Sequence, residues 1–248
     1  MSNQHLLRDT ALLLAGTLAA PLHAAPAANT TAWIPTWTAS PQARWDGDFV
    51  LPTGLPFHFW NQTLRQSSRV SLGGARVRVL LSNAYGTRPL IIGAAHVAKD
   101  AGNAAIVRGS NRVLTFGDQR GVTVPVGATA ISDPVELDVA ALDVLSVSLY
   151  LPTPTPPATF HWDARKTAYI GAGDQTTATR LEHDATLASH VFLSAIEVEA
   201  DASARTVVAI GDSITDGNMA TIDGHARWPD VLGSRLADRE VAVVNAGI

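Results

Sequence analysis

Thr206–Gly217 reads TVVAIGDSITDG: an apolar run, a sharp turn, then Ser213 with only Gly211 and Asp212 in between. A serine hydroxyl is a weak nucleophile at neutral pH. To attack a carbonyl it needs a base for its proton, an acid to orient that base, and donors for the oxyanion that forms. Gly211 lets the backbone bend, and a helix starting behind the serine would add N–H groups and a positive dipole end, so the Ser213 amide itself is one candidate oxyanion donor. A bare Gly-Asp-Ser triplet more often just caps a helix. Here it follows a buried-strand pattern and runs on as Ile-Thr-Asp-Gly, then Arg-Trp-Pro, then Val-Asn-Ala-Gly. Asp212 and Asp216 flank the serine. A carboxylate of ordinary pKa is a poor base for an alcohol. These two, with Gly211 and Gly217, read as shapers of the loop.

The histidines beyond the first thirty residues are His58, His96, His161, His183, His190 and His225. His225, in DGHARWPD, is near Ser213 in sequence but reads first as a solvated loop residue. His161, in FHWDAR, could share a polar and aromatic pocket with Trp162 and Asp163, although a satisfied structural histidine fits that text better. No histidine pair has metal-ligand spacing with a carboxylate nearby, so neither a metal nor another cofactor is expected.

The elements that would position these residues fall into two grammars. From Trp33 to about Glu199, segments such as ARVRVLLSNAYG, VTVPVGATAISDPVELDV and LDVLSVSLYLP alternate apolar with polar residues and are punctuated by Gly, Pro and Asp. Several short strands at regular spacing predict an antiparallel β-sandwich of jelly-roll-like character over residues 28–203. LPTPTPPATFHWD reads as a long loop inside that region, and EADASART as the boundary after it. Over 204–248 the text becomes an apolar strand, a loop and a helical stretch with Trp228, Val231, Leu232 and Leu236 in phase. A second apolar strand, VAVVNAGI, follows. That predicts one βαβ unit, the start of an α/β domain whose ligands gather at the carboxyl ends of the strands.

AIGDSITDG, RWPDVL and VVNAGI together resemble the beginning of the GDSL, or SGNH, esterase and lipase superfamily. More loosely, WTASPQ, TLRQSSRVSLGGARVRVLLSNAYG and FHWDARKTAYIGAGD look like the N-terminal β domain of its secreted bacterial members. The resemblance implies a three-layer α/β hydrolase domain beginning at residue 204, with Ser213 as nucleophile and its own amide as one oxyanion donor. A glycine amide from a second block is the next donor. Asn245 and Gly247 match that block, with Gly247 a neighbour of the donor and not the donor itself. The family's third donor, an asparagine in Gly-x-Asn-Asp, and its Asp-x-x-His have no counterpart in the chain. The resemblance therefore implies a C-terminally truncated member, expected to hydrolyse esters slowly if at all.

Composition narrows the partners. The 248 residues carry a formal charge of −4 and no dense basic run, which argues against nucleic acid. There is no cysteine, so no disulfide or thiolate site is possible. The N-terminus has a single basic residue, Arg8, before the apolar run TALLLAGTLAAPLHAAPAA, which contains the cleavage pattern Ala25-Pro26-Ala27. Residues 1–27 thus read as a secretory signal cleaved between Ala24 and Ala28, giving a secreted or periplasmic protein with no membrane span. The expected function is an exported serine ester hydrolase acting on a carbohydrate or short-chain acyl ester. The alternative is a carbohydrate- or surface-binding β module with an inert hydrolase remnant. Trp33, Trp37, Trp45, Trp60 and Trp162 could stack on sugars, although packing is their commoner role.

Overall fold

The computed structural model describes residues 30–44 and 54–248. The signal segment read at 1–27 lies outside the described residues, as does Trp45. Strand Gly74–Ser82 shows how the alternating pattern is used. Val77, Val79 and Leu81 are fully buried, while Arg76 and Arg78 point to the other face. There they meet the neighbouring antiparallel strand Leu193–Asp201. Arg76 grips Glu199 with two hydrogen bonds of 2.6 and 2.8 Å, and Arg78 donates to Glu197 at 2.6 Å. Arg78 also lies over the Trp33 ring at 4.4 Å. The Arg76 guanidinium and the Thr31 hydroxyl hold the Glu199 carboxyl down to about 2.

This strand belongs to a five-stranded sheet ordered Thr31–Thr38, Leu193–Asp201, Gly74–Ser82, Thr129–Ile131, with Val135–Val139 also on Gly74–Ser82. A seven-stranded sheet centres on Gln62–Arg69 between Ala168–Ala172 and Val144–Leu151. Apolar side chains from both sheets, among them Val77, Val79, Leu145, Val147 and Leu149, form one core. The central strand, QTLRQSSR, is buried on both faces although seven of its eight residues are polar or charged. Arg65, 1% exposed, donates to Ser148 Oγ at 2.8 Å and to the carbonyls of Ala104 and Ala178 at 2.7 and 2.8 Å. Burial lowers its pKa to about 10, with the Asp100 charge pulling the other way. Gln66 behaves like a piece of strand: its side-chain amide donates to Val191 O at 3.0 Å, and its oxygen accepts from Val191 N at 2.6 Å.

The expected class, a sandwich followed by the opening of a three-layer α/β hydrolase domain, is corrected by these observations. The described residues are mostly strand, with two helices only: α1, Ser213–Asp216, and α2, Trp228–Leu236. The helical phase of Trp228, Val231, Leu232 and Leu236 is real but lasts nine residues. Left-handed residues at Met219, Asp223 and His225 keep the segment before it from coiling. Arg205–Gly211 and Val241–Gly247 do pair in parallel, but as a two-stranded ribbon. Val208 and Ile210 stay 52% and 80% exposed, so no second helical layer covers them. Two strands and one short helix do not make three layers.

The ribbon is sewn to the β region. Thr38 Oγ1 donates to Asn245 O at 2.9 Å, Val243 N to Ser71 Oγ at 2.9 Å, and Arg69 to Asp230 O at 2.7 Å. Ala242 is part of the common core. Gly233 brings α2 close to both Ser71 and Val243.

Candidate active site

The ribbon register runs from Arg205 opposite Val241 to Gly211 opposite Gly247, and Ile248 N then donates to Gly211 O at 3.1 Å. Past Gly211 the chain turns. Asp212 is the N-cap of α1, its carboxylate accepting from Ile214 N at 3.0 Å, and Ser213 is the first helical residue. Ser213 is exposed, and neither its hydroxyl nor its N–H is hydrogen-bonded to another described residue. Gly217 ends the helix at φ 105°, its N–H bonded to Ser213 O at 2.9 Å, with Arg227 packed where a Cβ would sit. Because α1 is a single turn, the dipole expected behind the serine is small.

Asp216 turns inward and is 6% exposed. Its Oδ1 lies 2.9 Å from His161 Nε2, and His161 Nδ1 lies 2.9 Å from Ser40 O. Both neighbours of the imidazole are oxygen acceptors. The ring therefore carries a proton on each nitrogen, or Asp216 holds the second one. Strand pairing fixes this geometry: Thr159–His161 lies between Gln42–Ala43 and His190–Val191, and Gln66 ties down Val191. His161 is thus a clamp between the β region and the serine turn, with both nitrogens occupied.

Asn245 and Gly247, the second-block matches, also serve the turn. Asn245 Nδ2 donates to Thr215 O at 2.9 Å and to Asp216 O at 3.3 Å, and its Oδ1 accepts from Gly247 N at 2.9 Å. The Gly247 amide is thereby occupied, and its Cα hydrogens face the Asp216 backbone with no space for a side chain. Gly211 packs equally closely on Thr215. The structure thus brings Gly211, Asp212, Ser213, Asp216, Gly217, Asn245 and Gly247 into one constellation. Ser213, with hydroxyl and amide both free, and the exposed second oxygen of Asp212 are left to meet a substrate.

No histidine among the described residues is hydrogen-bonded to Ser213. His58 is exposed, His96 is held by Asn111 at 3.2 Å, and His183 stacks edge-on against Tyr169. His190 is buried with its ring 4.6 Å from that of Trp37. His225 lines a small cavity with Arg69, Lys166, Arg227 and Asp230. Burial, then the charges of Lys166 and Arg69, push its pKa down to about 4, while Asp230 opposes them and Arg227 adds to the fall. Burial, then the charges of His161, Arg227 and Lys166, hold His190 well below its ordinary value.

Between about pH 6.5 and 4 the unfolded chain takes up protons that folded His225 refuses, so stability falls as the pH drops through that window. His225→Asn is expected to flatten that limb, as measured by urea unfolding at several pH values. A limb of unchanged slope would assign the acid sensitivity to other groups.

Of the tryptophans, Trp37 is core and Trp33 lies beneath Arg78, whereas Trp60 is 64% exposed and Trp162 partly so. No group of three or more histidine, aspartate or glutamate side chains among the described residues is placed to hold a metal, and no described helix is long and apolar enough to cross a membrane.

No protein-family model matches the chain, and no curated protein matches it. Among solved structures, a family two carbohydrate esterase from Cellvibrio japonicus aligns with 88% of this chain and 52% of its own, at 11% identity and a TM-score of 0.17. The chain spans about half the length of that esterase. So low a score leaves fold and activity to be read from the residues themselves.

Proposed function

We propose that Ser213 is the nucleophile of an exported serine ester hydrolase of the GDSL/SGNH type, acting on a carbohydrate or short-chain acyl ester. The observation that supports this reading is the state of Ser213. It sits directly after a parallel strand, on a turn braced by Asp212, Asp216, Gly217 and Asn245, with hydroxyl and amide both unspent. A braced turn with one exposed, unpartnered hydroxyl suits attack on an external carbonyl. The neighbouring N–H is one donor for the oxyanion.

The same geometry limits the rate. No histidine among the described residues is hydrogen-bonded to the serine, and the Gly247 and Asn245 donors are occupied within the turn. A full reaction needs a base and further donors beyond the residues described. Without them, most of the several orders of magnitude that a base and oxyanion hole contribute are lost. Hydrolysis of nitrophenyl acetate by the purified chain is therefore expected to be slow, and slower still in Ser213→Ala. Turnover at ordinary esterase rates would overturn the rate argument. Turnover unaffected by the substitution would overturn the assignment of Ser213.

A further inference from the structure

A cavity of about 250 Å³ lies between strand Leu90–Ile92, the turn before it and the proline-rich loop after Val144–Leu151. It shares no lining residue with the surroundings of Ser213. Leu90, Ile91, Pro154, Pro156 and the buried ring of Phe192 form its apolar walls. Its buried polar linings are committed elsewhere. Asn83 Nδ2 donates to the carbonyls of Arg88, Val124 and Pro125, and Thr155 Oγ1 donates to Thr153 O. A sugar would bury many hydroxyls there with few partners, at a cost of a few kcal/mol each. An apolar body would not.

One lining residue carries a charge. Arg88 is exposed, and no described carboxylate is within ion-pairing distance of it. No acidic residue lines the cavity to repel an anion. The volume is just below that of pockets for drug-sized ligands, which fits a molecule of roughly ten non-hydrogen atoms.

We propose that this cavity binds a small amphiphilic carboxylate, its aliphatic or aromatic body held between the prolines and Phe192 and its carboxylate paired with Arg88. The site is independent of the Ser213 reading and stands if that reading fails.

Titration of the full chain with octanoate, octanol and acetate, followed by amide NMR shifts, tests it. Octanoate is expected to saturate with shifts at Leu90, Ile91 and Phe192. Octanol should bind about fivefold more weakly, the scale of one exposed charge pair, and acetate should not bind. Arg88→Ala should bring octanoate to the affinity of octanol and leave octanol unchanged. Thr153→Trp, at an exposed rim position, and Ala158→Trp should each block both ligands. Failure of octanoate to saturate, or binding that survives both tryptophan variants, would overturn the site. Equal binding of octanoate and octanol, insensitive to Arg88→Ala, would overturn the carboxylate assignment.

Discussion

Asp216→Ala is expected to destabilise the fold by about 2–3 kcal/mol, the cost of leaving the buried His161 Nε2 without a partner. His161 would keep its bond to Ser40 O but face an empty space with Nε2, 5% exposed and out of reach of bulk water. The serine turn would lose its inward anchor, because Asp216 is the last residue of α1 and the residue against which Gly247 packs. Asp216→Asn retains an acceptor for Nε2–H and should cost less. Urea unfolding of Asp216→Ala, His161→Ala and the double variant separates the pair from its surroundings. The double variant should cost clearly less than the sum of the singles. Strict additivity would mean that the two side chains do not stabilise each other. Hydrogen exchange at Gly217, whose amide closes α1 onto Ser213 O, should accelerate in the single variants by more than their loss of global stability accounts for.

Arg65→Ala carries the other large expected effect, about 4–5 kcal/mol or failure to fold. The substitution takes the guanidinium donors from the Ser148 hydroxyl and the Ala178 carbonyl, whereas the Ala104 carbonyl keeps the Leu181 N–H at 3.0 Å. Each abandoned group costs about 1–3 kcal/mol, and the space left by a fully buried side chain adds to that. Arg65→Met fills the space without serving the acceptors and should recover only part of the loss. Chemical unfolding midpoints of the three proteins measure this. If Arg65→Met were as stable as the parent, the hydrogen bonds would contribute little net stability and Arg65 would act by volume alone.

The two sites differ in how far the sequence discloses them. The alternation in Gly74–Ser82 reports its buried face correctly because Val77, Val79 and Leu81 are apolar and their neighbours charged. QTLRQSSR gives no such sign. Arg65 and Gln66 are satisfied by a loop carbonyl, a serine and a distant strand, none of them recoverable from local pattern, and Ser68 Oγ is buried with no partner among the described residues. The serine turn was legible as a turn, since Gly211, Asp212 and Gly217 each have a local backbone reason to be there. Its brace was not. His161 stood out only as a histidine beside aromatics, and its partner Asp216 is brought to it by the pairing of three short strands. Asn245 reads as a neighbour of an oxyanion donor but caps the carbonyls of Thr215 and Asp216. The class expected after residue 204 differs from the observed one because helical phase over a few residues resembles the opening of a longer helix. Nine residues with exposed apolar strands behind them support one short helix on a two-stranded ribbon.

The reading of Ser213 as a nucleophile is tested most directly by mapping acylation. The purified chain is incubated with nitrophenyl acetate, digested, and its peptides analysed by mass spectrometry. Attack by Ser213 without a base to activate water should leave an acetyl group on that residue in preference to other hydroxyls, accumulating slowly and absent from Ser213→Ala. An acetyl group distributed over surface lysines and serines, with none enriched at Ser213, would contradict the account.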